Sequence, residues 1–163
     1  MHTGQIELAI ARYLDTRINL IVPNVYWGLG LRYEVDLLVL TQSKYAYEIE
    51  IKTSISDLKA DLKKRHQHDS NKFKRLYFAM PLELKLKALE LIPERAGLFI
   101  VHSNSRVELV KTPKLNPNTK KLTELEIQKL YELSAMRVWN LKEIVYNLQK
   151  RNKSLFNNNL QQK

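Results

Sequence analysis

The residues of this chain best placed to do chemistry are Asp36, in the run Glu34-Val35-Asp36-Leu37-Leu38-Val39-Leu40, and Glu50 and Lys52, in Tyr45-Ala46-Tyr47-Glu48-Ile49-Glu50-Ile51-Lys52. Strand alternation puts Tyr45, Tyr47, Ile49 and Ile51 on one face and Glu48, Glu50 and Lys52 on the other. A hairpin centred on Ser43 sets Asp36 opposite Glu50 and Glu34 opposite Lys52, so four charges meet. Directly opposed Cβ atoms lie roughly 4.5–5.5 Å apart, and like charges there repel. At roughly 5 Å and an effective dielectric of about 20, two carboxylates repel by about 3 kcal/mol. A divalent cation removes that penalty. One or two carboxylates, with water and a phosphate oxygen completing an octahedron, is the set that Mg²⁺ takes. The plainer alternative is a solvated hairpin face carrying weak ion pairs. The apolar residues on both sides of Asp36 argue against it, because they place that carboxylate at the edge of a buried sheet.

The elements that must hold these residues are legible from periodicity. Ile6, Ala9, Ile10, Tyr13 and Leu14 recur at helical spacing after a candidate cap at Thr3, predicting a helix over Gln5–Asp15 with Glu7 beside its apolar stripe. Strands are predicted over Leu20–Tyr26, Val35–Leu40 and Tyr45–Lys52, forming a β-meander with turn chemistry at Thr41–Lys44. Ser54 or Ser56 caps a helix carrying Leu58 and Leu62, a strand resumes at Arg75–Ala79, and Pro81 opens another helix. Gly97–His102 and Arg106–Lys111 read as a hairpin. Thr123 and Glu126 form a capping-box pattern, and apolar residues from Leu125 to Leu148 support one helix or two to about Lys150. The fold class is therefore α/β (α+β), one mixed sheet flanked by helices with a C-terminal helical extension. The expected organisation is a body over residues 1–115, an extension packed on it over 116–150, and an unstructured Asn- and Gln-rich tail over 151–163.

Asp36 followed by Glu50-Ile51-Lys52 resembles the PD-(D/E)xK nuclease superfamily, without the proline of that name. Glu50-Ile51-Lys52-Thr53-Ser54 with Asp57, Leu58 and Asp61, then Arg75-Leu76-Tyr77-Phe78-Ala79-Met80-Pro81, resembles more specifically the MmcB-like family of bacterial and phage repair nucleases. The similarity covers roughly Gln5 to Lys114. It implies a restriction-endonuclease-like sheet and Mg²⁺ or Mn²⁺ held by Asp36, Glu50, the carbonyl of Ile51 and an acidic residue of the first helix, here Glu7. It further implies that Lys52 positions water and stabilises charge developing on phosphate, so that a phosphodiester is hydrolysed. Glu48 departs from the family's usual apolar residue and reads as an outer-shell group.

Charge points the same way. Lys and Arg number 27 against 17 Asp and Glu, a formal +10, which favours a phosphate-rich or anionic-membrane partner. The spread of the basic residues over several segments favours nucleic acid, and with the resemblance above the expected partner is DNA. Lys59, Lys63, Lys64, Arg65, Lys72 and Lys74 concentrate that charge just after the proposed site and are the expected phosphate contacts; the alternative is a solvated helix face. Without cysteine there are no disulfides and no thiolate zinc sites, and no signal peptide or membrane span is read, so a cytoplasmic setting is expected. His66-Gln67-His68 reads as an exposed helix end, not a metal set. Tyr77, Phe78 and Phe99 read as core, and Trp139 as a residue docking the C-terminal helix on the body. The leading expectation is a metal-dependent endodeoxyribonuclease of repair, recombination or mobile-element biology. The alternatives are a catalytically silent DNA-binding module on the same fold and, further off, a basic protein-interaction adaptor.

Overall fold

In the computed structural model, which describes the backbone of residues 1–64 and 68–161 and side chains as far as Asn152, six strands form one mixed sheet in sequence order. They are β1 (Leu20–Val25), β2 (Val35–Leu40), β3 (Ala46–Ile51), β4 (Phe73–Pro81), β5 (Gly97–Val101) and β6 (Val107–Lys111). β1, β2 and β3 make an antiparallel meander, β3, β4 and β5 run parallel, and β6 closes antiparallel on β5. The change of direction comes from the connections. A four-residue turn returns the chain beside itself, whereas α2 (Ile55–Leu62) and the pair of a 3₁₀ turn (Leu82–Leu84) and α3 (Lys85–Leu91) are long enough to carry it back for a parallel strand.

Both faces are covered, which is why β4 and β5 read as near-continuous apolar runs. α1 (Thr3–Tyr13) lays Ile6, Ala9 and Ile10 on Leu37, Val39, Ile49, Ile51, Tyr77, Ala79 and Phe99. α2 and α3 cover the opposite face, where Leu58 and Ala88 meet Leu76, Phe78, Met80, Leu98 and Ile100. Tyr77, Phe78 and Phe99 are buried, as core residues should be. A third cluster joins the far end of β1 and β2 to Leu122 and Leu130 at the start of α4 (Glu124–Gln161).

Two helix starts show how local chemistry sets the elements. α1 begins one residue earlier than the Thr3 cap predicts, because the N–H of His2 donates to Gln5 Oε1 at 2.9 Å and Thr3 becomes the first helical residue. Ser54 does cap α2, its Oγ accepting from the N–H of Asp57 at 3.1 Å. Thr123 and Glu126 form the expected reciprocal cap of α4. α4 is a single helix of 38 residues, where the apolar pattern supports helix only to about Lys150. No helix among the described residues is long and apolar enough to cross a membrane.

Candidate active site

β2 and β3 pair as Leu37 with Ile49 and Leu38 with Glu48, the register that carries Asp36 to Glu50. The turn fixes it. Lys44 adopts φ 64°, and the Thr41 N–H and hydroxyl both donate to the Tyr45 carbonyl. β2 begins only at Val35 and β3 ends at Ile51, so the ladder stops before Glu34 can face Lys52. Glu34 is exposed and accepts from Asn24 Nδ2, while the Lys52 N–H crosses to the Ala79 carbonyl of β4 at 3.1 Å. This corrects the expected fourth charge, whose place is taken by Asp61 from α2.

Lys52 is 5% exposed, and its ammonium is the hub. It donates to Glu50 Oε2 at 2.8 Å, with Asp61 Oδ2 at 3.5 Å and Asp36 Oδ2 at 3.8 Å. Asp36 also accepts from the N–H of Ile51 at 2.7 Å, which ties the carboxylate to the strand that carries Glu50. Burial opposes the charge on Lys52, but Glu50 first, then Asp36 and Asp61, outweigh it and hold the ammonium above its ordinary value. Burial pushes Glu50 up to about 7, Asp36's charge adds to the rise, and Lys52 opposes it. Glu50 Oε1 is buried without a hydrogen-bond partner. Glu7, on α1, is half-buried, and its carboxyl is raised by burial and then by Asp36's charge, with Arg137 of α4 opposing.

His68 overturns its reading as part of an exposed helix end; His66, Gln67 and Arg65 lie outside the described residues. The His68 side chain is buried, with Nδ1 2.6 Å from Glu48 Oε1 and Nε2 2.7 Å from Asp61 Oδ2. The rings of Tyr33 and Phe78 stand edge-on to it, and Tyr33 donates to Glu48 Oε2 at 3.1 Å. Burial alone pushes Glu48 up and His68 down, so the two compete for one proton. The second carboxylate, at Nε2, decides for His68, which is held at about 9 and is an imidazolium at neutral pH. Asp61 stays well below the usual carboxylate range: burial would raise it, but hydrogen bonds to His68 and Lys64 prevail.

Four carboxylates, Asp36, Glu48, Glu50 and Asp61, thus face two buried cations, Lys52 and His68, with Lys64 Nζ reaching Asp61 from the surface at 2.5 Å. Glu48, Glu50 and His68 each offer one ligand atom within 4.8 Å of the others, so this buried group could hold a metal ion once His68 gives up a proton. Asp57 sits exposed in the first turn of α2, where its charge suits the helix terminus. Of the basic residues, Lys59, Lys63 and Lys64 are exposed on and just past α2. Lys72 instead pairs with Glu126, and Lys74 Nζ lies 3.6 Å from the centre of the Tyr45 ring. Sequence reasoning missed the His68 and Asp61 couple. The available signal was Glu48, a carboxylate flanked by apolar strand residues that needs a cation to be buried.

The sequence model described as "DNA repair protein MmcB-like" matches residues 3–143. No curated protein matches the chain. A similar solved structure is the SPO1766 protein of unknown function from Silicibacter pomeroyi, 26% identical, with a TM-score of 0.68 over 87% of this chain and 92% of that one. With the match spanning most of its length, the chain belongs to the MmcB-like DNA repair protein family.

Proposed function

We propose that this protein is a PD-(D/E)xK-type nuclease that hydrolyses phosphodiester bonds in DNA with Mg²⁺ or Mn²⁺. The observation that carries the reading is the convergence of Asp36, Glu50 and Asp61 on the single buried ammonium of Lys52, with Glu50 Oε1 left unpartnered. An orphaned buried oxygen on a carboxyl pushed up to about 7 fits a hard divalent cation, which would supply both the missing partner and the missing charge. Asp36, Glu50 and the carbonyl of Ile51 would hold it, with Glu7 at the margin. Such an ion lowers the pKa of bound water and polarises phosphate. The chain's own contribution is positional: Asp36 and Glu50 fix the anionic side of the site, and Lys52 presents a charge to oxygens that become more negative in the transition state.

Thermal melting tests ligation directly. Mn²⁺ or Mg²⁺ at about 100 times its Kd should stabilise the wild type by about 2.7 kcal/mol, and Asp36→Asn should gain much less. Equal gains would remove Asp36 from the metal site. On the surface, Lys59→Gln with Lys63→Gln should lower the log–log salt slope of duplex binding by roughly 1.8, at about 0.9 per phosphate contact. An unchanged slope would put the duplex elsewhere.

One observation favours a second reading, a catalytically silent DNA-binding module. Lys52 already lies against Glu50 at 2.8 Å as an internal counter-ion, supplying a positive charge where a metal would otherwise be needed. In that case neither melting nor binding responds to divalent cations.

A further inference from the structure

We propose that the outer face of α4 is a binding strip for single-stranded nucleic acid, on which Trp139 and Tyr146 stack unpaired bases while Lys142 and Lys150 meet the phosphates. The expectation that Trp139 docks the helix on the body is overturned: Trp139 is 68% exposed and Tyr146 64%. They are seven residues apart, two helical turns, and so share one face about 10.5 Å from each other. That separation far exceeds the roughly 3.4 Å step between neighbouring bases of a duplex strand, so the two rings suit bases drawn out of a helical stack. Lys142 Nζ lies 5.1 Å from the centre of the Trp139 ring, which holds a cation beside the platform. Lys150, one turn beyond Tyr146, is exposed as well.

Charge selects nucleic acid over an apolar partner. Between Val138 and Asn152 the helix carries three cations, Lys142, Lys150 and Arg151, against the single carboxylate of Glu143, while Arg137 turns back to donate to the Asn24 carbonyl. Of the exposed apolar residues of this stretch, Val138, Leu141, Ile144, Val145 and Leu148 lie off the line joining Trp139 and Tyr146, and Leu141 and Ile144 line a cleft of about 680 Å³ shared with Leu8 and Ala11 of α1. Glu7 and Arg137 line the same cleft, on the side of α4 turned away from Trp139 and Tyr146. Every base has a π-face, and stacking therefore implies no sequence preference. The inference gives the hydrolytic reading its substrate class and rests on that reading only for the chemical step after binding.

The test is binding of a short oligo-dT and of a hairpin duplex, both in EDTA, so that cleavage plays no part and a failed nuclease reading leaves the result intact. In a Trp27→Phe background Trp139 is the only tryptophan, and oligo-dT should quench its fluorescence. Trp139→Ala and Tyr146→Ala should each weaken oligo-dT binding about tenfold and barely change duplex binding, with Trp139→Phe retaining most of the affinity. Circular dichroism checks that the variants keep the helix. Oligo-dT affinity untouched by both alanine variants, or an equal loss for oligo-dT and duplex, would overturn the proposal. So would a Trp139→Ala variant that converts a dimer to a monomer while binding oligo-dT normally.

Discussion

Lys52→Met should abolish metal-dependent cleavage, leave nucleic-acid affinity nearly unchanged, and destabilise the fold by about 3–5 kcal/mol at neutral to alkaline pH in EDTA. Methionine keeps most of the lysine stem, so packing is spared and the change isolates the charge. Three carboxylates lose the ammonium they converge on, and two of them, Glu50 and Asp61, are buried. The penalty should shrink below pH 7, because Glu50 sits at about 7 even with Lys52 present and rises further without it, and a protonated Glu50 needs no counter-ion. Cleavage is lost for a different reason: one cation beside the phosphate contributes more to the transition state than to ground-state binding. Urea unfolding at two pH values measures the first effect, and single-turnover cleavage with a parallel binding titration measures the second. A variant as stable as the wild type at pH 8 would show that the ammonium is not the hub described.

His68→Leu should cost about 3 kcal/mol at pH 6.5 in EDTA, an effect that fades as the pH approaches 9. The sign comes from a folded-state value raised from 6.5 to about 9: burial opposes the charge, but hydrogen bonds to Asp61 and Glu48 more than restore it. Such a group contributes its full stabilisation below pH 6.5 and loses it as the pH climbs through about 9. Glu50, raised from 4.5 to about 7, adds a loss of the same sign over pH 4.5 to 7 in both proteins, and it cancels only in part because its charge also helps to hold the imidazolium. At roughly 2–4 °C per kcal/mol for a domain of this size, the wild type should melt about 6–12 °C above the variant at pH 6.5. A constant difference from pH 6 to 9 would mean that His68 is not the bridging imidazolium.

The parts of the fold that sequence reasoning recovered are those governed by local rules. Alternation gave all six strands, and the Thr41–Lys44 turn chemistry, with Lys44 in the left-handed region, gave the register that joins Asp36 to Glu50. Glu34 failed because the ladder ends where β3 hands its next N–H to β4, a tertiary event that hairpin arithmetic does not see. His68 failed for a related reason. It sits past the end of α2 at φ 55°, outside any periodic pattern, and only the parallel crossover returns it beneath Glu48. The four-residue spacing of Asp57 and Asp61 says that they share a helix face but not which is buried: Asp57 is exposed and Asp61 is 1% exposed. Trp139 shows the opposite error: a large aromatic in an amphipathic helix suggests docking, whereas this part of α4 stands in solvent.

The most direct measurement is a gel assay in which supercoiled plasmid and single-stranded circles are incubated with wild-type protein or Glu50→Gln, each with Mg²⁺, Mn²⁺ or EDTA. Wild type should nick or degrade at least one substrate with Mg²⁺ or Mn²⁺ and neither in EDTA, with the single-stranded circles cut faster and Glu50→Gln inactive throughout. Intact substrates in every wild-type lane, or equal cutting by wild type and Glu50→Gln, would contradict metal-dependent hydrolysis at this site.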